Sequence, residues 1–140
     1  MRFALAAVVI AALAAAMPAT AAAPGRLQVT ALEFEYRLSR PQLRAGRWSI
    51  IELVNLGEDE HDLRLRRIGG TKTYGIKTVL PGQRRYLAAK LRVGRYHLWC
   101  SIADHRARGM RAQLRVLPPP QPRRRGRATP PSPSRRTRGR

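Results

Sequence analysis

One cysteine, Cys100, stands in this 140-residue chain, so no internal disulfide can form. A lone cysteine ordinarily reads as a small buried apolar residue or as half of an intermolecular bridge. Its neighbours suggest more. His105 follows Cys100 after four intervening residues, and Met110 follows His105 after four more. A loop of that size can fold back so that a thiolate, an imidazole and a thioether converge on one point.

The alternation of side chains supplies an independent test of which donors face inward. Along a strand, residues of one parity share a face. Met110 shares parity with Ala112, Leu114 and Val116, whereas Arg111, Gln113 and Arg115 take the other face. Cys100 shares parity with Leu98 and Tyr96, which places His97 on the opposite, outer side. His61 shares parity with Leu63 and Leu65, and the same rule sends Asp62, Arg64 and Arg66 outside. Three donors thus face the core, with His105 on the loop above them. Two imidazoles, a thiolate and a weak thioether suit copper cycling between Cu(I) and Cu(II). Zinc accepts the His and Cys ligands but prefers a carboxylate or water as its fourth. Asp62 and Asp104 lie near enough in sequence to supply one, although the expected outward direction of Asp62 disfavours this alternative.

The elements that must position these residues are strands. Leu27, Val29 and Ala31 alternate with polar neighbours, and Leu32, Phe34, Tyr36 and Leu38 continue on the opposite parity, which predicts a bulge near Ala31 and Leu32. Further strands are expected over Trp48 to Leu56, His61 to Leu65, Thr78 to Leu80, Arg85 to Leu91, Gly94 to Cys100 and Met110 to Leu117. Turn residues punctuate them at Ala45-Gly46, Gly57, Gly69-Gly70, Pro81-Gly82 and Val93-Gly94. No segment has the periodicity of an amphipathic helix. Short strands with regular turns predict an all-β antiparallel sandwich or barrel.

The two ends of the chain read differently from this domain. Met1-Arg2, the apolar run from Phe3 to Ala16, Pro18 and the small residues Ala19-Thr20-Ala21 have the layout of a secretory signal peptide, residues 1–21, cleaved near Ala21. A membrane anchor is disfavoured, since the run falls short of the roughly 18–20 apolar residues that span a bilayer. From Pro118 to Arg140 the chain is almost wholly Pro, Arg, Gly, Ser and Thr, which predicts a disordered basic tail. One domain, residues 26–117, remains between them.

A formal net charge of +20 raises the question of nucleic acid. Eight of the arginines belong to the tail and one to the leader, yet nineteen basic residues still face eight acidic ones in the domain. The arginines are scattered and lack the aromatic interleaving of a single-strand binding surface. Export would also remove the chain from most nucleic acid. A basic face suited to an acidic partner, or a tail drawn to an anionic membrane or cell-wall surface, accounts better for the charge.

The stretch from Tyr96 through Cys100 and His105 to Met110 resembles the copper loop of the cupredoxins, the family of plastocyanin, azurin and rusticyanin. Its Cys-x4-His-x4-Met spacing is most similar to the rusticyanin type. The stretch from Asn55 to Leu63 resembles the strand that delivers the first histidine. Two features depart from the family pattern: Asp62 stands where many relatives carry Asn or Ser, and Ser101-Ile102-Ala103-Asp104 stands where many have a Pro-Gly turn. The resemblance implies a Greek-key cupredoxin-like sandwich holding one copper ion through His61, Cys100, His105 and Met110. It further implies that Cys100 is the strongly coupled ligand, that His61 is the buried one, and that Met110 is a long axial contact tuning the potential. His105 would then present its ring edge near the surface as the electron exit. Arg106, Arg108 and Arg111 flank that exit, placed to dock an acidic redox partner such as a cytochrome, or standing simply as solvated charges.

Copper oxidases and copper nitrite reductases need further histidines, and this chain has only His61, His97 and His105. No Ser-His-Asp setting or glycine-rich phosphate loop occurs either. The expectation is therefore a monomeric periplasmic or secreted electron carrier and not an enzyme. The alternatives are a copper-binding protein for delivery, storage or resistance, and a copper-free sandwich whose basic tail binds anionic surfaces.

Overall fold

Alternating apolar and polar residues do become strands throughout the computed structural model, which describes residues 23–121. In chain order these are β1 (Gly25–Leu32), β2 (Glu35–Leu38), β3 (Gln42–Arg44), β4 (Ser49–Asn55), β5 (His61–Arg67), β6 (Thr73–Val79), β7 (Arg84–Ala89), β8 (Gly94–Trp99) and β9 (Arg111–Leu117). They form a four-stranded sheet, ordered β2-β1-β4-β7, and a five-stranded sheet, ordered β3-β9-β8-β5-β6. No helix occurs among the described residues. The expected leader, 1–21, and nearly all of the expected tail, 118–140, lie outside the described residues.

Burial follows the strand period. Leu27, Val29 and Ala31 of β1 and Ile51 and Leu53 of β4 are buried from one sheet. Leu63, Leu65, Tyr96, Leu98, Leu114 and Val116 meet them from the other. Apolar burial at about 25 cal/mol per Å² supplies the main favourable term for such a sandwich.

Three details differ from the sequence expectation. The parity change after Ala31 is not a bulge but a tight hairpin, in which Leu32 pairs with Glu35 and Glu33-Phe34 form the turn. Phe34 sits at φ 57° there, a left-handed conformation uncommon for a non-glycine residue. The short strand expected at Thr78 to Leu80 is the end of the longer β6, whose first half has little apolar alternation to reveal it. Finally, two pairs are parallel, β1 with β4 and β3 with β9, within otherwise antiparallel sheets. The chain crosses to the five-stranded sheet at β3 and returns at β4 beside β1, a non-local arrangement that leaves no local sequence signal.

Candidate metal centre

The candidate site is assembled at one end of the sandwich by the start of β5, the end of β8 and the loop between β8 and β9. That loop is closed at its base by backbone bonds: the Cys100 amide donates to the Met110 carbonyl at 3.2 Å, and the Met110 amide donates to the His105 carbonyl at 2.9 Å. Within the loop, His105 N donates to the Ile102 carbonyl at 3.2 Å and Arg108 N to the Asp104 carbonyl at 3.0 Å. Gly109, at φ 116°, turns the chain back into β9 where a side chain would be strained. Folded this way, the loop carries His105 back over Cys100.

Their side chains meet. Cys100 Sγ and His105 Nδ1 are 3.7 Å apart, and the His61 and His105 rings lie 5.1 Å apart at an interplanar angle of 64°. One donor atom from each of His61, Cys100 and His105 falls within 4.8 Å of the others. All three residues are buried, and so is Met110. His105, 7% exposed, retains the most solvent contact of the four, while His61, Cys100 and Met110 have none. Met110 sits where the loop rejoins the sheet, in the apolar core that also contains Cys100. His97 is exposed on the outer side of β8, as its parity predicts.

These residues fit a metal ion. Both ring nitrogens of His61 are buried without a hydrogen-bond partner, and each such unmet polar group costs about 1–3 kcal/mol unless something coordinates it. Burial, reinforced by neighbouring His105, pushes the His61 imidazole below its ordinary pKa and so favours the neutral, ligating form. Burial pushes the Cys100 thiol upward, so a bound cation is the natural agent for drawing off its proton.

Asp62 is buried where exposure was expected, at only 2% exposed. The register shift between β5 and β6 puts its extra residue on β6, since His61 pairs with Val79 and Leu63 with Ile76, and His61, Leu63 and Leu65 keep the core-facing side. Asp62 stays on the side of Arg64 and is covered there by its own hydrogen-bond partners. Its carboxylate is not left bare: Oδ1 accepts from the Ser101 amide at 2.6 Å, and Oδ2 accepts from Ser101 Oγ at 2.5 Å and from Arg64 Nε at 3.0 Å. Its carbonyl accepts a hydrogen bond from the buried Tyr36 hydroxyl. Asp62 thereby ties the residue after His61 to the residue after Cys100. Buried though it is, it does not join the donor group, and Asp104 is exposed.

The turn that delivers His61 is held by two residues that carried no distinct sequence signal. Buried Asn55 donates from Nδ2 to the Asp59 and Val79 carbonyls at 2.7 and 2.8 Å, and its Oδ1 accepts from Gly57 N at 2.9 Å. Glu33, reaching over from the β1–β2 hairpin, accepts from the Glu58 amide and, at 3.4 Å, from the Asp59 amide. The Glu58 amide bond chiefly lowers the pKa of the Glu33 carboxyl. A Cβ on Gly57 would overlap Glu33 Oε1 and come within 3.1 Å of His61 Nε2, so a side chain there would displace the flexible end of Glu33 and crowd the His61 ring. Phe34, at the hairpin tip, meets His105 edge-on at 5.2 Å and is itself covered by the Arg108 guanidinium at 3.4 Å.

No family model and no curated protein matches the sequence. Solved structures do match its fold. Auracyanin from Roseiflexus castenholzii aligns with a TM-score of 0.57 at 15% identity, over 69% of this chain and 100% of that one. Rusticyanin from Thiobacillus ferrooxidans aligns at 0.52 and 14%, over 67% of this chain and 79% of that one. The chain has the cupredoxin fold. The same cupredoxin architecture recurs within a multicopper oxidase of Campylobacter jejuni, matched at 0.53 and 13% identity over 73% of this chain but 32% of that one. On this cupredoxin scaffold the β8–β9 loop and the start of β5 bring the His-Cys-His group together.

Proposed function

We propose that this is an exported, mononuclear type 1 copper protein that carries single electrons between redox partners. The observation that carries the reading is the buried His61-Cys100-His105 group, with both His61 nitrogens unpartnered. Copper held by this donor set would supply a one-electron couple. His61 and Cys100 would hold it from opposite strands of one sheet, His105 from the loop, and Met110 from the loop's return. The scaffold restrains these side chains: Asn55 and Glu33 fix the turn before His61, and Asp62 fixes Ser101 after Cys100. Restraint of this kind serves electron transfer, because little has to reorganise when the charge changes.

Several features support a carrier over an enzyme. Of three histidines in the chain, His97 lies on the outer face of β8, so none remains for a second, catalytic copper. His105 is the ligand candidate in contact with solvent, and exposed Arg106 and Arg108 beside it suit an acidic partner such as a cytochrome. The apolar leader fits a monomer working in the periplasm or outside the cell, and the arginine-rich tail fits an anionic membrane or cell-wall surface, not nucleic acid.

Repeated redox cycling tests the proposal. The copper-loaded protein should bleach on reduction by ascorbate and regain its full colour with ferricyanide over many cycles. A protein that retains colourless Cu(I) and resists reoxidation would instead be one for copper delivery or storage.

A further inference from the structure

The outer face of the five-stranded sheet carries an unbalanced charge. Outward positions on its three central strands are Arg64 and Arg66 on β5, Arg95, His97 and Trp99 on β8, and Arg111, Gln113 and Arg115 on β9. The only carboxylate in the sequence of the five strands is that of Asp62, which is buried and engaged by Arg64 and Ser101. Of the three ion pairs among the described residues, only Arg64–Asp62 involves this sheet. Arg95 stands directly opposite Arg115 in the β8–β9 register, a like-charge pairing that destabilises a sheet. A partner bringing carboxylates to this face would offset that repulsion.

Trp99 ends the middle strand of that face, next to the loop that carries His105. Arg64 and Arg111 are its cross-strand partners, and the guanidiniums of Arg66 and Arg106 lie 5.8 and 5.1 Å from its ring. Beside it runs a groove of about 390 Å³, lined by His97, Trp99, Arg106, Arg111 and Gln113 among others. A tryptophan among arginines is the composition in which binding energy concentrates at protein interfaces. A recess beside it accepts an inserted side chain, which a lipid headgroup layer does not offer. Trp99 is also joined by one peptide bond to Cys100.

We infer that the outer face of the five-stranded sheet, at the end that carries Trp99, docks an acidic protein. Carboxylates of the partner meet Arg66, Arg106 and Arg111, and one of its side chains enters the groove. This places docking on the sheet face beside Cys100 as well as at the His105 loop. The route to Cys100 rests on the electron-carrier reading; the docking itself rests on charge and shape alone.

The test uses the whole, copper-free protein labelled with ¹⁵N and titrated with poly-L-glutamate at low ionic strength, with phosphatidylglycerol vesicles as comparison. Poly-L-glutamate should shift the Trp99 indole N–H and the amides of Arg66, His97 and Arg111, while Tyr86 and Ala88 on the other sheet stay in place. The double variant R66E/R111E should weaken this affinity at least ~10-fold, as expected for charge reversal at a steered interface. Should that variant not fold, R66Q should still weaken it, and raising the salt should erase the wild-type footprint. Shifts confined to residues 118–140, shifts of equal size on both sheets, or a footprint produced by vesicles and not by poly-L-glutamate would overturn the inference. Failure to take up copper with this footprint intact would overturn the electron-carrier reading alone, and a copper-loaded protein without the footprint would overturn the docking face alone.

Discussion

Removing the Asp62 carboxylate should separate its hydrogen-bonding role from its charge. Asp62→Ala deletes the bonds to the Ser101 amide, the Ser101 hydroxyl and Arg64. Hydrogen bonds to a charged group contribute about 1.5–3 kcal/mol each. Ser101 is exposed and Arg64 has 39% of its side chain in solvent, so water recovers part of that loss. The expected net destabilisation is about 2–4 kcal/mol. Asp62→Asn keeps the shape. Its carbonyl can accept from the Ser101 amide and its NH₂ can donate to the Ser101 hydroxyl, leaving only the Arg64 pair to be lost. A partly exposed pair contributes up to about 1 kcal/mol. Urea unfolding of the copper-free protein reads both variants through their midpoints. In a domain of this size each 1 kcal/mol also moves the melting temperature by roughly 4–8 °C. Equal losses for the two variants would refute the claim that Asp62 acts by pinning Ser101, and a neutral Asp62→Ala would refute it outright.

Other substitutions address neighbouring parts of the account. Gly57→Ala should displace the Glu33 carboxylate from the Glu58 and Asp59 amides and press on the His61 ring, lowering metal affinity in a chelator competition titration with little change in the melting temperature of the copper-free protein. Tyr36→Phe leaves the buried Asp62 carbonyl without its hydroxyl donor, and a melting curve should show a loss of about 1–2 kcal/mol. Arg115→Glu replaces a like-charge pair with an attractive one opposite Arg95, so thermal unfolding should show a gain of roughly 0.2–1 kcal/mol, with metal affinity unchanged.

How much of this was legible in the sequence depends on whether the signal was local. The inward faces of β8 and β9 could be read because uninterrupted alternation carries Tyr96, Leu98, Leu114 and Val116 into the core. The meeting of Cys100 with His105 was legible from residue type and loop length. At β5 the same reasoning gave the face of Asp62 but not its burial, because the cover comes from Ser101 and Arg64 closing over its carboxylate, a tertiary contact that one strand does not show. The hairpin at Glu33-Phe34 was hidden because it lacks the glycine or asparagine that usually marks such a turn. Phe34 over His105 and Glu33 beneath the His61 turn were hidden with it, since both arrive by way of that hairpin. The parallel pairing of β1 with β4 depends on a crossing between sheets, which no periodicity encodes.

The central claim is that one copper ion is held by His61, Cys100, His105 and Met110. Titrating Cu(II) into the protein while following its visible absorption tests that claim most directly. An intense thiolate-to-copper band should rise to a sharp break at one equivalent, and neither Cys100→Ser nor His61→Ala should develop it. A titration with no such band, a break at another stoichiometry, or a band that survives Cys100→Ser would contradict the account.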